Sequence, residues 1–115
     1  MVDKFFIAAK AFVMHQGKVL LIRESSHYKD GSNQGKYDVP GGRIHPGEYV
    51  HESLLREIKE ETGLDVVIGR PFFVNEAWPE VKNEQWQIIR IFFECFSDSD
   101  DIELGEDHNE HVWID

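Results

Sequence analysis

The sequence predicts a single α/β domain in which one amphipathic helix packs on a mixed β-sheet. Two segments, 5–14 and 85–96, are rich in the β-branched and aromatic residues that are typical of strands. Between them, residues 48–62 repeat apolar side chains at the helical period. A chain of 115 residues is large enough for one hydrophobic core, so residues 1–115 are expected to form one domain.

The N-terminal third is expected to begin with a β-hairpin. Its first strand is too apolar to have a solvated face, which places it centrally in the sheet. In the polar loop after the hairpin, Tyr28 and Lys29 are candidates for ligand contact, because loops often carry functional residues. The expected elements are strand 5–14, turn 16–17, strand 18–23, loop 24–36 and strand 37–39.

The remaining elements follow a glycine-rich loop at 40–47. Pro71 lacks the N–H that a central strand needs, so the strand around it is expected at an edge or a bulge. Cys95 has phenylalanine neighbours in a strand, which favours a buried, unreactive thiol. The expected elements are helix 48–62 ending at Gly63, strand 64–74, turn 75–84, strand 85–96, acidic loop 97–110 and strand 111–114.

Composition argues against several kinds of partner. A net charge of −10 without a basic block opposes binding to a nucleic acid polymer. No segment reaches the roughly 18 to 20 apolar residues that a membrane span requires. One cysteine, Cys95, excludes an internal disulfide and a cysteine-based zinc site. We therefore expect a cytoplasmic protein that acts on small molecules and has no membrane partner.

Three glutamates of the predicted helix point the same way. Glu57 lies three and four residues before Glu60 and Glu61, so the carboxylates share one face. Each like-charge pair destabilises an isolated helix by roughly 0.2–0.5 kcal/mol. A hard divalent cation reverses that cost, because it binds clustered carboxylate oxygens. The alternative is an ordinary solvated face whose charges pair with Arg56.

The loop before the helix favours the metal hypothesis. It holds three glycines and two prolines, which allow tight backbone bends and a close approach to a ligand. These residues are Pro40, Gly41, Gly42, Pro46 and Gly47.

The residues from Gly42 to Leu64 resemble the Nudix box. Its fixed positions are filled by Gly42, by Glu48 and by the run REIKEETGL from Arg56 to Leu64. Agreement at so many fixed spacings makes coincidence improbable. The resemblance implies a Nudix-type α/β/α sandwich with a mixed sheet, and a hydrolase that cleaves a pyrophosphate with Mg²⁺ or Mn²⁺.

The resemblance also implies roles for individual residues. The general base is expected to be Glu57, with Glu106 of the acidic loop as its rival. Arg56 is expected to orient Glu60 across one helical turn. The implied metal ligands are the carboxylates of Glu57, Glu60 and Glu61 and the carbonyl of Gly42.

The substrate implied by the resemblance is a nucleoside diphosphate linked to another group. Related enzymes that act on ADP-ribose often carry a proline about fifteen residues past the box, where this chain has Pro79. Two alternatives are a nucleoside triphosphate pyrophosphohydrolase that removes oxidised nucleotides and a non-catalytic nucleotide-sensing module. Arg23, Arg43 and Arg90 are candidates for phosphate contact, or ordinary solvated side chains.

The chain stops one residue after its last predicted strand, at Asp115. Nudix relatives usually continue into a helix that covers one face of the sheet. We therefore expect a domain truncated at its C-terminus or lacking that helix, with sheet surface left for another chain to cover, as in a homodimer.

Overall fold

The computed structural model describes residues 1–25 and 35–115, and the candidates Tyr28 and Lys29 lie outside the described residues. These residues form one helix and a mixed sheet of eight strands. The elements are β1 Lys4–His15, β2 Lys18–Glu24, β3 Tyr37–Asp38, β4 Gly41–Arg43, α1 Val50–Thr62, β5 Val67–Ala77, β6 Glu80–Val81, β7 Glu84–Phe96 and β8 His108–Ile114.

The first strand, β1, lies in the centre of the sheet, as predicted. The strand order is β3-β2-β1-β7-β5, with β4 paired to β1, β6 to β7 and β8 to β2. β1 and β7 run parallel from the Lys4–Trp86 pair to the Met14–Phe96 pair, whereas the other strand pairs are antiparallel. This mixture confirms the predicted mixed sheet.

Helix α1 begins two residues later than expected. Glu48 lies before the helix, since the Glu48 carboxylate accepts hydrogen bonds from the His45 N–H at 2.8 Å and from Arg56 at 3.1 Å. The N-cap, Tyr49, is extended and makes no capping bond with its side chain. At the other end Gly63 has φ 78° and donates its N–H to the Lys59 carbonyl at 2.9 Å, which confirms the predicted glycine stop.

The core forms where the apolar face of α1 covers β1 and β7. Leu54 and Ile58 of the helix are fully buried, and the predicted burial of Cys95 is confirmed. The small residues Ala9 and Ala11 of β1 let the helix approach the sheet closely. The core consists of Ala9, Ala11, Val13, Leu20, Ile22, Leu54, Ile58, Leu64, Phe93 and Cys95.

Several strand boundaries differ from the predictions. β5 begins at Val67 rather than at 64, because Leu64 is buried in the core and its N–H is bonded to Thr62 Oγ1 at 3.1 Å. β8 begins within the predicted acidic loop, where pairing to β2 overrides the polar composition. The short strands β4 and β6 were predicted as loop and turn.

Pro71 lies in the edge strand between two irregularities of the β5–β7 register, as predicted. In the described part of the chain, α1 is the one helix and it covers one face of the sheet. The described residues contain no helix with the length and apolar character of a membrane span.

We predict that Leu54→Ala lowers the free energy of unfolding by about 2–5 kcal/mol, because Leu54 is 0% exposed and its removal leaves a cavity. The matched control is Leu55→Ala on the same helix, where the side chain is 41% exposed and the loss is expected to be much smaller. Urea unfolding followed by circular dichroism measures both. Equal losses for the two variants would contradict the observed helix orientation.

Candidate active site

A cleft of about 1080 Å³ extends along the sheet to the carboxylates of α1. Alternate residues of two strands line it, as expected for side chains on one face of a sheet. From β1 and β7 these residues are Phe6, Ala8, Lys10, Trp86, Ile88 and Arg90. Glu57, Glu60 and Glu61 all line the same cleft, so the structure brings the three predicted metal ligands together.

The backbone of Gly42 lies against the carboxylate of Glu57. A Cβ atom at position 42 would stand 2.8 Å from Glu57 Cδ and 2.9 Å from Oε2, a spacing that real side chains do not adopt. Any larger residue at position 42 would therefore displace the Glu57 carboxylate from this place. Burial raises the pKa of Glu57, while the neighbouring Arg56 guanidinium lowers it.

Glu61 is held by Gly41, the neighbouring residue of β4. The Gly41 N–H donates to Glu61 Oε1 at 3.0 Å. Burial raises the pKa of Glu61 to about 8, although Lys10 and the bond from Gly41 both favour its charged form. A carboxylate in this environment is stabilised either by a proton or by a nearby cation.

Arg56 connects the acidic residues on either side of it. Its guanidinium lies 3.1 Å from Glu48 Oε2, 3.1 Å from Glu57 Oε1 and 3.6 Å from Glu60 Oε2. The predicted contact with Glu60 is present, but the contacts with Glu48 and Glu57 are shorter. The Glu60 side chain is 60% exposed and is the freest of the three helix carboxylates to turn toward a ligand.

The acidic loop is bonded to the C-terminal turn of α1. Glu103 donates its N–H to the Thr62 carbonyl at 2.9 Å, and Gly105 donates to the Glu61 carbonyl at 3.2 Å. Asp107, two residues after Gly105, accepts a hydrogen bond on its carbonyl from the N–H of Ser25, the residue after β2, at 2.7 Å. These bonds place Glu106 and Asp107 on the cleft wall beside the helix carboxylates.

The donors at this end of the cleft suit a hard divalent cation. Three carboxylates and the backbone of Gly42 supply oxygen atoms of the kind that Mg²⁺ binds, and buried Glu61 is stabilised by positive charge. In residues 1–25 and 35–115, no three Asp, Glu, His or Cys side chains already form a metal-binding group. Arg56 and the Gly41 N–H occupy carboxylate oxygens as the side chains stand, so binding requires some of them to turn.

The three candidate arginines have different surroundings. Arg23 lies outside the cleft lining and pairs with Glu110 at 3.3 Å. Arg43 lines the cleft with its guanidinium 4.0 Å above the Phe6 ring, and Arg90 lines it while donating to Asn75 Oδ1 at 2.8 Å. Of the three candidates, Arg43 and Arg90 therefore lie in the cleft and Arg23 does not.

Basic side chains line the cleft together with acidic ones. The sequence has twelve Lys and Arg residues, 22 Asp and Glu residues and a net charge of −10. Among the described residues, eight of the acidic side chains line the cleft, and six of the twelve basic residues lie there with them. The basic residues are Lys4, Lys10, Lys36, Arg43, Lys82 and Arg90.

Sequence reasoning missed two contributors to this site. Lys10 stood in an apolar strand, and its cleft-facing position depends on the sheet register. Gly105 lies in the acidic loop and packs closely on α1, because a Cβ there would lie 2.6 Å from the Glu60 carbonyl oxygen. The available signal for Lys10 was its position as the one charged residue in the apolar segment 5–14, whereas the sequence held none for Gly105.

Comparison with known proteins gives the same result as the geometry. A family model for the NUDIX domain matches residues 4–115. The nucleoside triphosphatase NudI of Escherichia coli O81 is 26% identical over 87 residues, which cover 70% of this chain and 62% of the relative. This chain thus matches less than two thirds of that relative's length.

Solved structures share the fold. A crystal structure of the MutT protein from Methanosarcina mazei Go1 superposes with a TM-score of 0.82 and 30% identity, covering 99% of this chain and 80% of the other. An ADP-ribose pyrophosphatase from Streptococcus suis superposes with a TM-score of 0.71 and 19% identity, covering 96% and 73%. The expected Nudix α/β fold is confirmed.

We predict that the metal-free protein loses stability as the pH rises from about 4.5 toward 8, the range between the ordinary pKa of a glutamate and that of Glu61. The folded state holds the Glu61 proton in this range and the unfolded state does not, so raising the pH favours unfolding. Glu61→Gln is expected to flatten this dependence. Melting temperatures in EDTA across the range measure it, and identical slopes for both proteins would contradict the prediction.

We predict that Gly105→Ala lowers activity per folded molecule, because the added Cβ must move away from the Glu60 carbonyl and shift the acidic loop. The stability cost is expected to be about 1–3 kcal/mol. The control is Gly69→Ala in β5, outside the cleft lining, where the Cβ would lie 3.1 Å from the Glu94 carbonyl. This variant should lose stability alone, and equal activity losses would contradict a role for the loop.

Proposed function

This chain belongs to the NUDIX domain family, and we propose that it hydrolyses the pyrophosphate bond of a nucleoside diphosphate linked to another group. One observation carries the proposal: Glu57 and Glu61 of α1 lie against Gly42 and Gly41 of β4, and Glu60 lines the same cleft, whose described lining also holds six basic side chains. Such a cleft can neutralise a diphosphate and admit water beside it.

The metal-binding residues of this proposal are Glu57, Glu60 and Glu61, with the carbonyl of Gly42. The ion would be Mg²⁺ or Mn²⁺, since both favour oxygen ligands. When bound, such an ion supplies charge neutralisation at the phosphate oxygens and makes a water molecule more acidic.

Glu57 is proposed as the general base. Burial raises its pKa, which makes its carboxylate a stronger acceptor for the proton of an attacking water. As the proton moves to Glu57, the water oxygen bonds to phosphorus and the bridging P–O bond breaks, with its electron pair leaving on the second phosphate. Glu106, on the cleft wall, remains the rival base.

Arg56 acts as a positioning residue in this mechanism. It contacts Glu57 at 3.1 Å and Glu60 at 3.6 Å, and it is anchored on Glu48 at 3.1 Å. The guanidinium therefore restricts the rotamers of two proposed metal ligands and limits their mutual repulsion.

ADP-ribose is the substrate that we place first. Pro79, at the spacing associated with ADP-ribose enzymes, lines the cleft, and its carbonyl accepts the Trp86 N–H at 3.0 Å. Along the same wall, Trp78 is 50% exposed and offers aromatic surface for a base. The other end of the cleft holds the carboxylates, so a base and a diphosphate fit along its length.

Nucleoside triphosphates are the second candidate, including oxidised ones. The observation that favours them is the likeness to NudI, which is named a nucleoside triphosphatase. A non-catalytic nucleotide sensor is the third candidate, and it is disfavoured because the box glutamates are all present.

We predict that a screen of ADP-ribose, nucleotide sugars and nucleoside triphosphates with Mg²⁺ finds turnover that depends on the helix carboxylates. Glu57→Gln should lower kcat by about 10²- to 10⁴-fold if Glu57 is the base. Glu60→Gln should raise the Mg²⁺ concentration for half activity by at least about tenfold. Product release measured by chromatography gives both quantities.

Glu110→Gln is the control, because its carboxylate binds Arg23 and Tyr37 outside the cleft lining and activity should not change. A larger kcat loss in Glu106→Gln than in Glu57→Gln would transfer the base assignment to Glu106. Wild-type protein that turns over no substrate would favour the sensor, and equal turnover by wild type and Glu60→Gln would remove the metal assignment.

A further inference from the structure

Lys10 carries a nearly buried positive charge into the carboxylate end of the cleft. Its ammonium lies 3.3 Å from Asp38 Oδ2, and the side chain is 13% exposed. Lys10 follows Phe6 and Ala8 on the cleft face of β1, so its side chain is directed into the cleft by the strand period.

The main-chain pairing of β1 at this position does not involve the charge of the side chain. Main-chain pairing already aligns Lys10 with Gly41 on one side and with Phe92 on the other. Ala8, the neighbouring cleft-facing residue of β1, shows that a small apolar side chain is accepted on the same face. Burying a lysine costs free energy that one ion pair with a partly exposed aspartate offsets incompletely.

Lys10 is close to the proposed metal ligands without being bound to them. Gly41, its pairing partner, donates the hydrogen bond to Glu61 Oε1. The positive charge of Lys10 lowers the pKa of Glu61, yet within the described ranges its ion pair closer than 4.0 Å is with Asp38. An ammonium has three N–H donors, so Lys10 keeps capacity for ligand oxygens.

The other strand-borne cations of the cleft have different positions. Lys4 stands six residues before Lys10 on β1, which is about 20 Å along a strand, and it pairs with Glu84 at 3.5 Å. Arg43 stacks on Phe6, and Arg90 is bonded to Asn75. If the α1 carboxylates act on the diphosphate through a metal ion, the diphosphate must lie at their end of the cleft. Lys10 is the cation of β1 at that end.

We propose that Lys10 is a further catalytic residue, which binds a non-bridging oxygen of the substrate's diphosphate beside Glu61. The inference rests on the proposed function, since it needs a diphosphate at the carboxylate end. The ammonium keeps its proton throughout and forms no covalent bond. Its charge-assisted hydrogen bond stabilises the negative charge that grows on the phosphate oxygens as the bridging bond breaks.

The test uses inorganic pyrophosphate with Mg²⁺, measured by titration calorimetry, together with kcat and KM for the substrate that wild type hydrolyses best. Lys10→Met keeps the length of the side chain and removes its charge. We expect it to weaken pyrophosphate binding and to lower kcat/KM by about ten- to a hundredfold. Lys10→Arg should recover part of both, and Lys18→Met, outside the cleft lining, should change neither.

A merely structural role would give a different result in the double variant Lys10→Met/Asp38→Asn, which removes both charges of the ion pair. If Lys10 only neutralises Asp38, this variant should recover melting temperature and pyrophosphate affinity together. Our proposal requires that the melting temperature recovers while the affinity stays low. Recovery of affinity, or unchanged affinity in Lys10→Met, overturns it.

The two proposals can fail separately. Wild-type protein that binds pyrophosphate in a Lys10-dependent manner but turns over no nucleotide would contradict the proposed hydrolysis and the catalytic role, and would leave Lys10 as a phosphate-binding residue. Wild-type turnover that Lys10→Met leaves unchanged would contradict the role of Lys10 and support the hydrolysis. Wild-type protein that neither binds pyrophosphate nor hydrolyses a nucleotide overturns both.

Discussion

The close approach of a glycine backbone to two helix carboxylates is the contact on which this cleft depends. Gly41 donates to Glu61, and Gly42 lies so near Glu57 that a Cβ would collide with the carboxylate. The approach is possible because α1 is packed on β1 through small and buried side chains. The packing of the core therefore also determines where the acidic groups lie.

Several charges of the site are paired with neighbouring side chains. Arg56 contacts three glutamates, and Lys10 pairs with Asp38 while its field acts on Glu61. Even so, burial keeps the pKa of Glu61 near 8, so positive charge at this point would be favourable. The divalent cation of the proposed function would supply this positive charge in a chain whose net charge is −10.

The acidic loop shows how distant segments complete the site. Glu103 and Gly105 bond to carbonyls at the end of α1, and Asp107 accepts from Ser25 after β2. These main-chain bonds satisfy helix carbonyls that have no partner within the helix. They also fix the loop that carries Glu106 beside the helix carboxylates. The same hydrogen bonds therefore cap the helix and position the acidic loop.

The helix, its glycine stop, the central β1 strand and the shared face of the three glutamates could be predicted from local patterns. Such features depend on residues a few positions apart, where the periods of helix and strand govern which side chains meet. Local patterns could not predict the short strand β4, the start of β8, or the roles of Lys10 and Gly105. They depend on contacts between segments far apart in the chain, which arise when β1 pairs with β4 and the loop meets the end of α1. The local sequence does not determine this long-range register, so the contacts that follow from it are decided by the tertiary structure.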